Sequence, residues 1–457
     1  MGGRRVSTRA GKPAGMPRLM VAVFSATLAT TLGSVPAVMA QAPESFYSYD
    51  GAEPLASLAP GAVLKTRTLE YHADTFATPL TTIQVLYRST DSLGNPTANV
   101  TTIIKPPAPA TGAAKVVSFL SAYDSLNPAH SPSRAFAADI ELTGLSDPLS
   151  DIASSEVQFF APLLMAGYTI VIPDTEGPAA DFAAGPEYGR TTLDSLRAAR
   201  HVTTLSGIDD TTKIGLMGYS GGAIAANWAA IEAPSYAPDI NEDLIGVAEG
   251  GVLVDPAHNL NYVAGSPIWA GVIGMAIVGI SRSFDVDFSK YLSDTGRRVL
   301  EEMQDASIMN VLAQYPGLTW AQMALPEYAD PNSIPEYVDV VNKLNMGTAP
   351  TPTVPMFIAQ GANGILEGTP AHPGFGAGDG VMITGDVRAL ANQYCAAGLA
   401  VQYDQYDAHS HVTALIAWAP AAQKWLIDRF DNQPAPTNCG NIPAGNPLTP
   451  ERHAHQL

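Results

Sequence analysis

The 457-residue chain reads as an α/β protein, a mostly parallel sheet covered by helices on both faces, with one block of helices inserted between two of its later strands. Three features carry that reading. Short β-branched runs recur with helical patterns between them, and strands that alternate with helices pair in parallel because each crossover must pass over a face of the sheet. The runs that follow the first hairpin are close to continuously apolar, as strands buried on both faces are. One long stretch, 256–349, has no convincing strand although helical periodicity persists through it.

Taken in order, the first forty residues stand apart. Arg4, Arg5, Arg9, Lys12 and Arg18 form a basic segment without an acid, an apolar run covers 19–35, and Val38-Met39-Ala40 offers small residues for cleavage. This is the pattern of a secretory signal peptide over 1–40. It predicts a mature N-terminus near Gln41 and a secreted protein, free or held at the cell wall; Arg4-Arg5 admits the twin-arginine route beside the general one. The formal net charge is −19, and the leader holds five of the cations, so the mature chain is more acidic still. That balance excludes nucleic acid as a partner and gives no charge-driven adhesion to anionic membranes. Cys395 and Cys439 are the only cysteines. In an exported chain a lone pair reads as a disulfide. No Cys/His cluster has metal-ligand spacing, so no metal is expected.

Runs at 82–89 and 98–105 flank Leu93-Gly94-Asn95-Pro96 and predict an antiparallel hairpin. Buried strands follow at 115–120, 168–173, 213–217, 245–254, 354–360 and 400–406, with helices at 156–166, 188–205 and 223–232. The core therefore divides into 41–255 and 351–431. Between its parts, 256–350 forms a helical cap with helices at 289–305, 308–314 and 334–344, and 432–457, rich in Pro and Asn, forms a loosely held tail. Within the cap, 267–280 (PIWAGVIGMAIVGI) is too apolar to face water and too short to span a bilayer. It predicts the wall of an apolar tunnel.

Gly218-Tyr219-Ser220-Gly221-Gly222 fits G-x-S-x-G, with an apolar strand running in and an Ala-rich helix running out. That context is the nucleophile elbow of the α/β-hydrolase fold. The turn strains the serine backbone, and small neighbours keep helix and strand from colliding. The amide of Gly221, at a helix N-terminus, is placed to meet a developing oxyanion. A serine hydroxyl needs a histidine to take its proton and a carboxylate to orient that histidine, in the chain order Ser, acid, His. His409-Ser410-His411 follows the last strand and precedes a helix over 412–427; His411 is the favoured base and His409 the alternative. The acid belongs on the loop after 354–360, yet Gly361-Ala362-Asn363-Gly364 has no carboxylate. Glu367, Asp379 and Asp386 are the candidates. Asp386 falls in the first turn of a helix over 384–397, where the helix dipole accounts for an acid, and Glu367 falls in a Gly-rich stretch that runs on to Asp379, with nothing to fix its position.

Over most of its mature length the chain resembles the secretory lipases, the fungal and actinobacterial relatives of yeast lipase A. The resemblance rests on Ile172-Pro173-Asp174-Thr175-Glu176-Gly177-Pro178, Leu193-Asp194-Ser195-Leu196-Arg197-Ala198, the elbow, and the acid–Cys–His arrangement near the end. It implies that the acid is Asp379, because Asp379-Gly380-Val381-Met382 before Cys395 is similar to the family's D-x-x-V-P, with Met for Pro. The implied triad is Ser220, Asp379 and His411. Tyr123-Asp124-Ser125 resembles the family segment whose Asp supplies an oxyanion-hole donor, so Asp124 joins Gly221, through its backbone N–H or a protonated carboxyl. Two departures are plain: the family often has a Cys shortly after this Asp, whereas Asn127-Pro128-Ala129-His130 has none, and residues 362–378 look like an insertion before the acid. The resemblance implies a lipase or carboxylesterase that forms an acyl-enzyme on lipid or small-molecule esters, needs no cofactor, and touches lipid interfaces transiently. A serine peptidase, an acyltransferase or a catalytically silent binding protein are the alternatives, and the apolar cap segment favours the first reading.

Overall fold

The computed structural model describes residues 44–73, 76–108, 114–138 and 152–454. The expected signal peptide, 1–40, and the cleavage point near Gln41 lie outside them. Among the described residues no helix is long and apolar enough to cross a membrane.

Among the described residues nine strands form one sheet, in the order β1-β2-β3-β5-β4-β6-β7-β8-β9. β1 (Val63–Ala73), β2 (Phe76–Thr90) and β3 (Pro96–Ile104) make an antiparallel meander, and β3 also pairs antiparallel with β5 (Thr169–Pro173). From β5 onward every pairing is parallel, through β4 (Lys115–Leu120), β6 (Lys213–Tyr219), β7 (Leu244–Gly250), β8 (Met356–Gly361) and β9 (Val401–Tyr406). The expected hairpin is the β2–β3 connection. Asp91 Oδ1 accepts from the amides of Leu93 and Asn95, and Gly94 takes a positive φ of 89° to close the turn. β1 was not expected, because its Lys65, Arg67 and Glu70 interrupt any apolar alternation, as suits an edge strand.

Helices Gly185–His201, Gly221–Tyr236 and Thr384–Ala396 cover one face of the sheet, and Val157–Met165 and His411–Phe430 cover the other. Between β7 and β8 the chain leaves the sheet for Pro256–Tyr262, Val272–Phe284, Asp294–Glu302, Ile308–Val311, Trp320–Met323 and Pro335–Leu344. These helices share a third hydrophobic core with Leu126, Phe182 and Val381 to Ile383 of the sheet's loops, so the insertion is packed onto the carboxyl ends of the strands. The helix expected over 289–305 is divided: a 3₁₀ turn at Ser289–Tyr291 ends before Ser293, whose hydroxyl accepts from Gly296 N and starts a new helix.

The tail departs from the expectation of a loosely held strap. Asn438 bonds both backbone groups of Tyr403, at 2.9 and 2.7 Å, and Asn446 donates to Phe375 O and Asp386 Oδ1. Glu451 meets Asn332 and Asn342 of the insertion. Amide side chains hold it in place together with Ile442, which is buried in the main core, and Leu448, which packs against that core. The disulfide Cys395–Cys439 ties the helix Thr384–Ala396 to this tail with Cα atoms 5.5 Å apart.

Candidate active site

Ser220 is the single residue between β6 and the helix Gly221–Tyr236, with φ 56° and ψ −120°. A non-glycine residue there is strained and persists only where its surroundings hold it. Ser220 N donates to Gly250 O at 2.9 Å, and its carbonyl accepts from Ala223 and Ile224 at the helix start. A Cβ on Gly218 would lie 2.1 Å from Gly222 O, and one on Gly222 would lie 2.0 Å from Leu120 O. The two glycines therefore let strand and helix cross at this distance.

His411 is the first residue of the helix His411–Phe430, just past β9. Its Nε2 lies 2.8 Å from Ser220 Oγ and its Nδ1 2.8 Å from Asp379 Oδ2. Its backbone N donates to Asp379 O at 2.7 Å. With Nδ1–H donating to the carboxylate, Nε2 presents its lone pair to the serine. Burial alone would lower the imidazole's pKa, but the charge and hydrogen bond of Asp379, then Glu367 and Asp124, outweigh it and hold it above the ordinary value. Tyr219 fixes the ring from one side, its hydroxyl donating to His411 O at 2.7 Å, and Trp269 of the insertion stands edge-on to it at 5.4 Å. His409 instead accepts the amides of Ala362 and Asn363 on its carbonyl and packs its ring on Tyr406.

Asp379 is fully buried and fully partnered. Oδ1 accepts from Val381 N and Met382 N at 3.1 and 2.7 Å, and Oδ2 accepts from Gln360 Nε2 at 2.8 Å as well as from His411. The long loop reaches this point by looping out and returning, with Gly364 N donating to Gly378 O at 2.8 Å. The other two acids are placed differently from the sequence expectation. Asp386 is buried, and beyond any dipole effect it bonds His258 Nδ1 at 3.0 Å and Asn446 Nδ2 at 2.7 Å, joining the insertion and the tail. Glu367 is held at two points despite its place in the inserted loop: Oε2 accepts from Trp269 Nε1 at 2.8 Å and Oε1 from Val412 N at 2.9 Å.

Asp124 lies on the loop after β4 with a left-handed φ of 36°. A Cβ on Gly221 would fall 1.8 Å from its Oδ1, so only glycine lets the carboxyl approach the elbow this closely. Burial raises the Asp124 carboxyl to about 7, although His411 opposes the shift. Glu176, from the quoted PDTEGP stretch, braces the residues on both sides of Asp124: its backbone N donates to Tyr123 Oη at 3.0 Å, and its carboxyl accepts from Ser125 N. Burial, then the nearby Asp124, pushes Glu176 well above the usual carboxylate range. In the place where a cysteine was missed, Ser125 Oγ bonds His130 Nδ1 at 2.8 Å.

Ser220, Gly221 and Asp124 open onto an apolar pocket of about 1050 Å³, counting its open mouth. Val272, Ile273, Ala276, Ile277 and Ile280 of the insertion's long helix form one wall at helical spacing. Phe182, Trp320, Tyr337, Val340 and Met382 complete much of the remainder. The helix's other face packs so tightly that a Cβ on Gly274 would lie 2.4 Å from Met303 Sδ. Among the described residues no group of three or more His, Cys, Asp or Glu side chains gathers as a metal site would require. The arrangement as a whole can deprotonate a hydroxyl beside a large apolar cavity.

Sequence reasoning weighed Glu367 only as a candidate acid and missed its bridging contacts, and it missed the roles of Gln360 and Trp269 as partners. Each is defined by a contact between segments far apart in the chain, so no local pattern announced it. Glu176 was visible only as part of a motif.

The family model described as Secretory lipase matches residues 148–438. Lipase 5 of Candida albicans is 30% identical over 88% of this chain and 83% of its own length. A relative in Mycobacterium tuberculosis, described as a probable inactive lipase, is 30% identical over 82% of this chain and 79% of its own. The crystal structure of Candida antarctica lipase A superposes with a TM-score of 0.74, covering 91% of this chain and 93% of that one at 23% identity, a likeness of fold.

Proposed function

Because the chain belongs to the secretory lipase family and is an ester-hydrolysing enzyme of the α/β-hydrolase fold, we propose that it is a secreted lipase or carboxylesterase that cleaves fatty-acyl esters through Ser220, His411 and Asp379. The observation that carries this reading is the unbroken chain of hydrogen bonds Asp379–His411–Ser220 at the mouth of an apolar pocket. Ser220 Oγ attacks the ester carbonyl as His411 Nε2 takes its proton. Asp379 holds the imidazole in the required tautomer and stabilises the imidazolium that forms. The Gly221 amide and Asp124 face the oxygen that becomes negative, and such preorganised donors contribute about 10²–10³ in rate each. His411 then returns the proton to the leaving alcohol, and water releases the acyl group by the same steps.

An acyl chain suits the pocket because its walls are aliphatic and aromatic, and burying each methylene contributes about 0.8 kcal/mol. A peptide would need its amides satisfied there, and few polar groups line the cavity. The silent reading has a relative in its favour, but the intact, correctly directed hydrogen bonds on His411 argue against it. The test is hydrolysis of p-nitrophenyl esters of graded chain length and of triolein, beside a peptide panel. Turnover of medium or long esters, absent in Ser220→Ala, is expected; peptide cleavage without ester turnover would overturn the proposal.

A further inference from the structure

A second acid stands beside the base, and the mechanism above does not use it. Glu367 is 1% exposed, on a 3₁₀ turn (Gly364–Glu367) of the loop that separates β8 from Asp379. Its two oxygens face two different segments. One accepts from the indole N–H of Trp269, in the insertion, and the other from the amide of Val412, next to His411. Trp269 lines the apolar pocket and also stands edge-on to the His411 ring. A Cβ on Gly380 would lie 2.7 Å from Glu367 Oε2, so the loop carrying Asp379 also closes on this carboxyl.

We propose that Glu367 is a positioning residue for the reaction: a buried carboxylate that joins the pocket wall to the first turn of the helix bearing His411 and holds the imidazole in line with Ser220. The proposal rests on the reading of Ser220, His411 and Asp379 as the reacting set. Its physical basis is acceptor count. A carboxylate accepts at both oxygens, whereas a glutamine amide offers one acceptor and one donor. In Glu367→Gln, either Trp269 or Val412 must face an N–H with its own N–H. Either loss frees one side of the imidazole. The charge matters separately. The ionisable groups facing His411 are Asp379 from the long loop, Glu367 from its 3₁₀ turn and Asp124 from the loop after β4, all acting to raise it. Facing Glu367 are His411, Ser410 and Asp379. Removing the Glu367 charge leaves one anion fewer to stabilise imidazolium.

The test compares Glu367→Gln, Glu367→Asp, Trp269→Phe and the Glu367→Gln/Trp269→Phe pair in the full mature enzyme. It measures kcat, KM, the pH profile of kcat/KM and the rate of fluorophosphonate labelling at Ser220. Glu367→Gln is expected to lower kcat about tenfold or more with little change in KM. It should move the acidic limb of kcat/KM to lower pH by about half a unit and slow labelling in proportion. Trp269→Phe keeps the charge, so the limb should stay while kcat falls several-fold. In the pair the donor clash is gone, so the added loss from Glu367→Gln should shrink while the limb still moves. Glu367→Asp should restore the limb. If Glu367→Gln is poorly folded, the pair carries the same test. An unmoved limb with labelling at the wild-type rate, in either background, overturns the positioning role and leaves the proposed function standing. Wild-type labelling at a serine other than Ser220 overturns both.

Discussion

Replacing Asp379 with asparagine removes a charge and changes one acceptor into a donor, and the partners around it fix the consequence. Oδ1 serves two backbone amides, Val381 and Met382, which cannot turn away. The asparagine oxygen must stay with them, and its NH₂ must take the position of Oδ2, facing Gln360 and His411. Gln360 can adapt by a flip, since its Oε1 has no partner among the described residues and would accept there, at the loss of its bond to Gly361 O. His411 adapts only by changing tautomer, presenting Nδ1 as acceptor and carrying its proton on Nε2. That proton then points at Ser220 Oγ, and the base is lost. In a well-studied triad the same change costs about 10⁴ in kcat, or about 5.5 kcal/mol of barrier. The fold should lose only about 1–3 kcal/mol, the cost of disturbing one buried hydrogen-bonded group. The assay is kcat on a p-nitrophenyl ester beside a thermal melt followed by circular dichroism. Asp386→Asn, which breaks the contact to His258, should change the melt and leave kcat within a fewfold. A folded Asp379→Asn enzyme within tenfold of wild-type turnover would refute the reasoning, as would loss of turnover in Asp386→Asn alone.

Ile277 lines the pocket from the insertion's long helix, so Ile277→Trp should reduce turnover of long-chain esters far more than of acetate; equal losses would mean that the residue only packs the core. Burial raises the carboxyls of Asp174, Asp194 and Asp255 to about 6, Asp124 and Asp181 to about 7, and Glu249 to about 8. The folded chain therefore keeps protons that an unfolded chain releases near pH 4. That stability is whole below pH ~4 and is lost as the pH rises through about 6 to 8, by up to about 1.4 kcal/mol per pH unit for each retained proton. The melting temperature should accordingly be higher at pH 5 than at pH 8, and the reverse order would contradict the assignment. The Cys395–Cys439 bridge closes a separation of 44 residues, for which chain entropy gives roughly 4 kcal/mol. Replacing both with serine should lower the melting temperature by several degrees, and alkylation of the unreduced wild type should find no thiol; two labelled thiols would remove the bridge from the account.

How much could be read from the sequence followed the range of the contacts involved. The elbow was legible because strand, glycine turn and helix are consecutive, and each glycine answers a clash within a few residues or on the neighbouring strand. His411 was legible as the start of a helix after the last strand. Asp379 was not legible from position alone, since the loop makes a detour before it returns to β8; only the family pattern pointed to it. Glu367 and Asp386 illustrate the opposite case. One was without a fixed place and the other was assigned to the helix dipole, yet both are buried and held by side chains from distant segments. β1 escaped because an edge strand needs little apolar alternation, and the tail because many of its anchors are asparagines, which read as loop residues, and its apolar anchors, Ile442 and Leu448, are isolated in the sequence.

The central claim is that Ser220 is the nucleophile, and active-site labelling tests it most directly. The purified enzyme is treated with a fluorophosphonate, digested, and the modified peptide identified by mass spectrometry. Stoichiometric modification of the peptide holding Gly218 to Gly222 at Ser220 is predicted, with matching loss of ester hydrolysis, and neither labelling nor turnover in Ser220→Ala. Modification of another serine, or a Ser220→Ala enzyme that still hydrolyses esters, would contradict it.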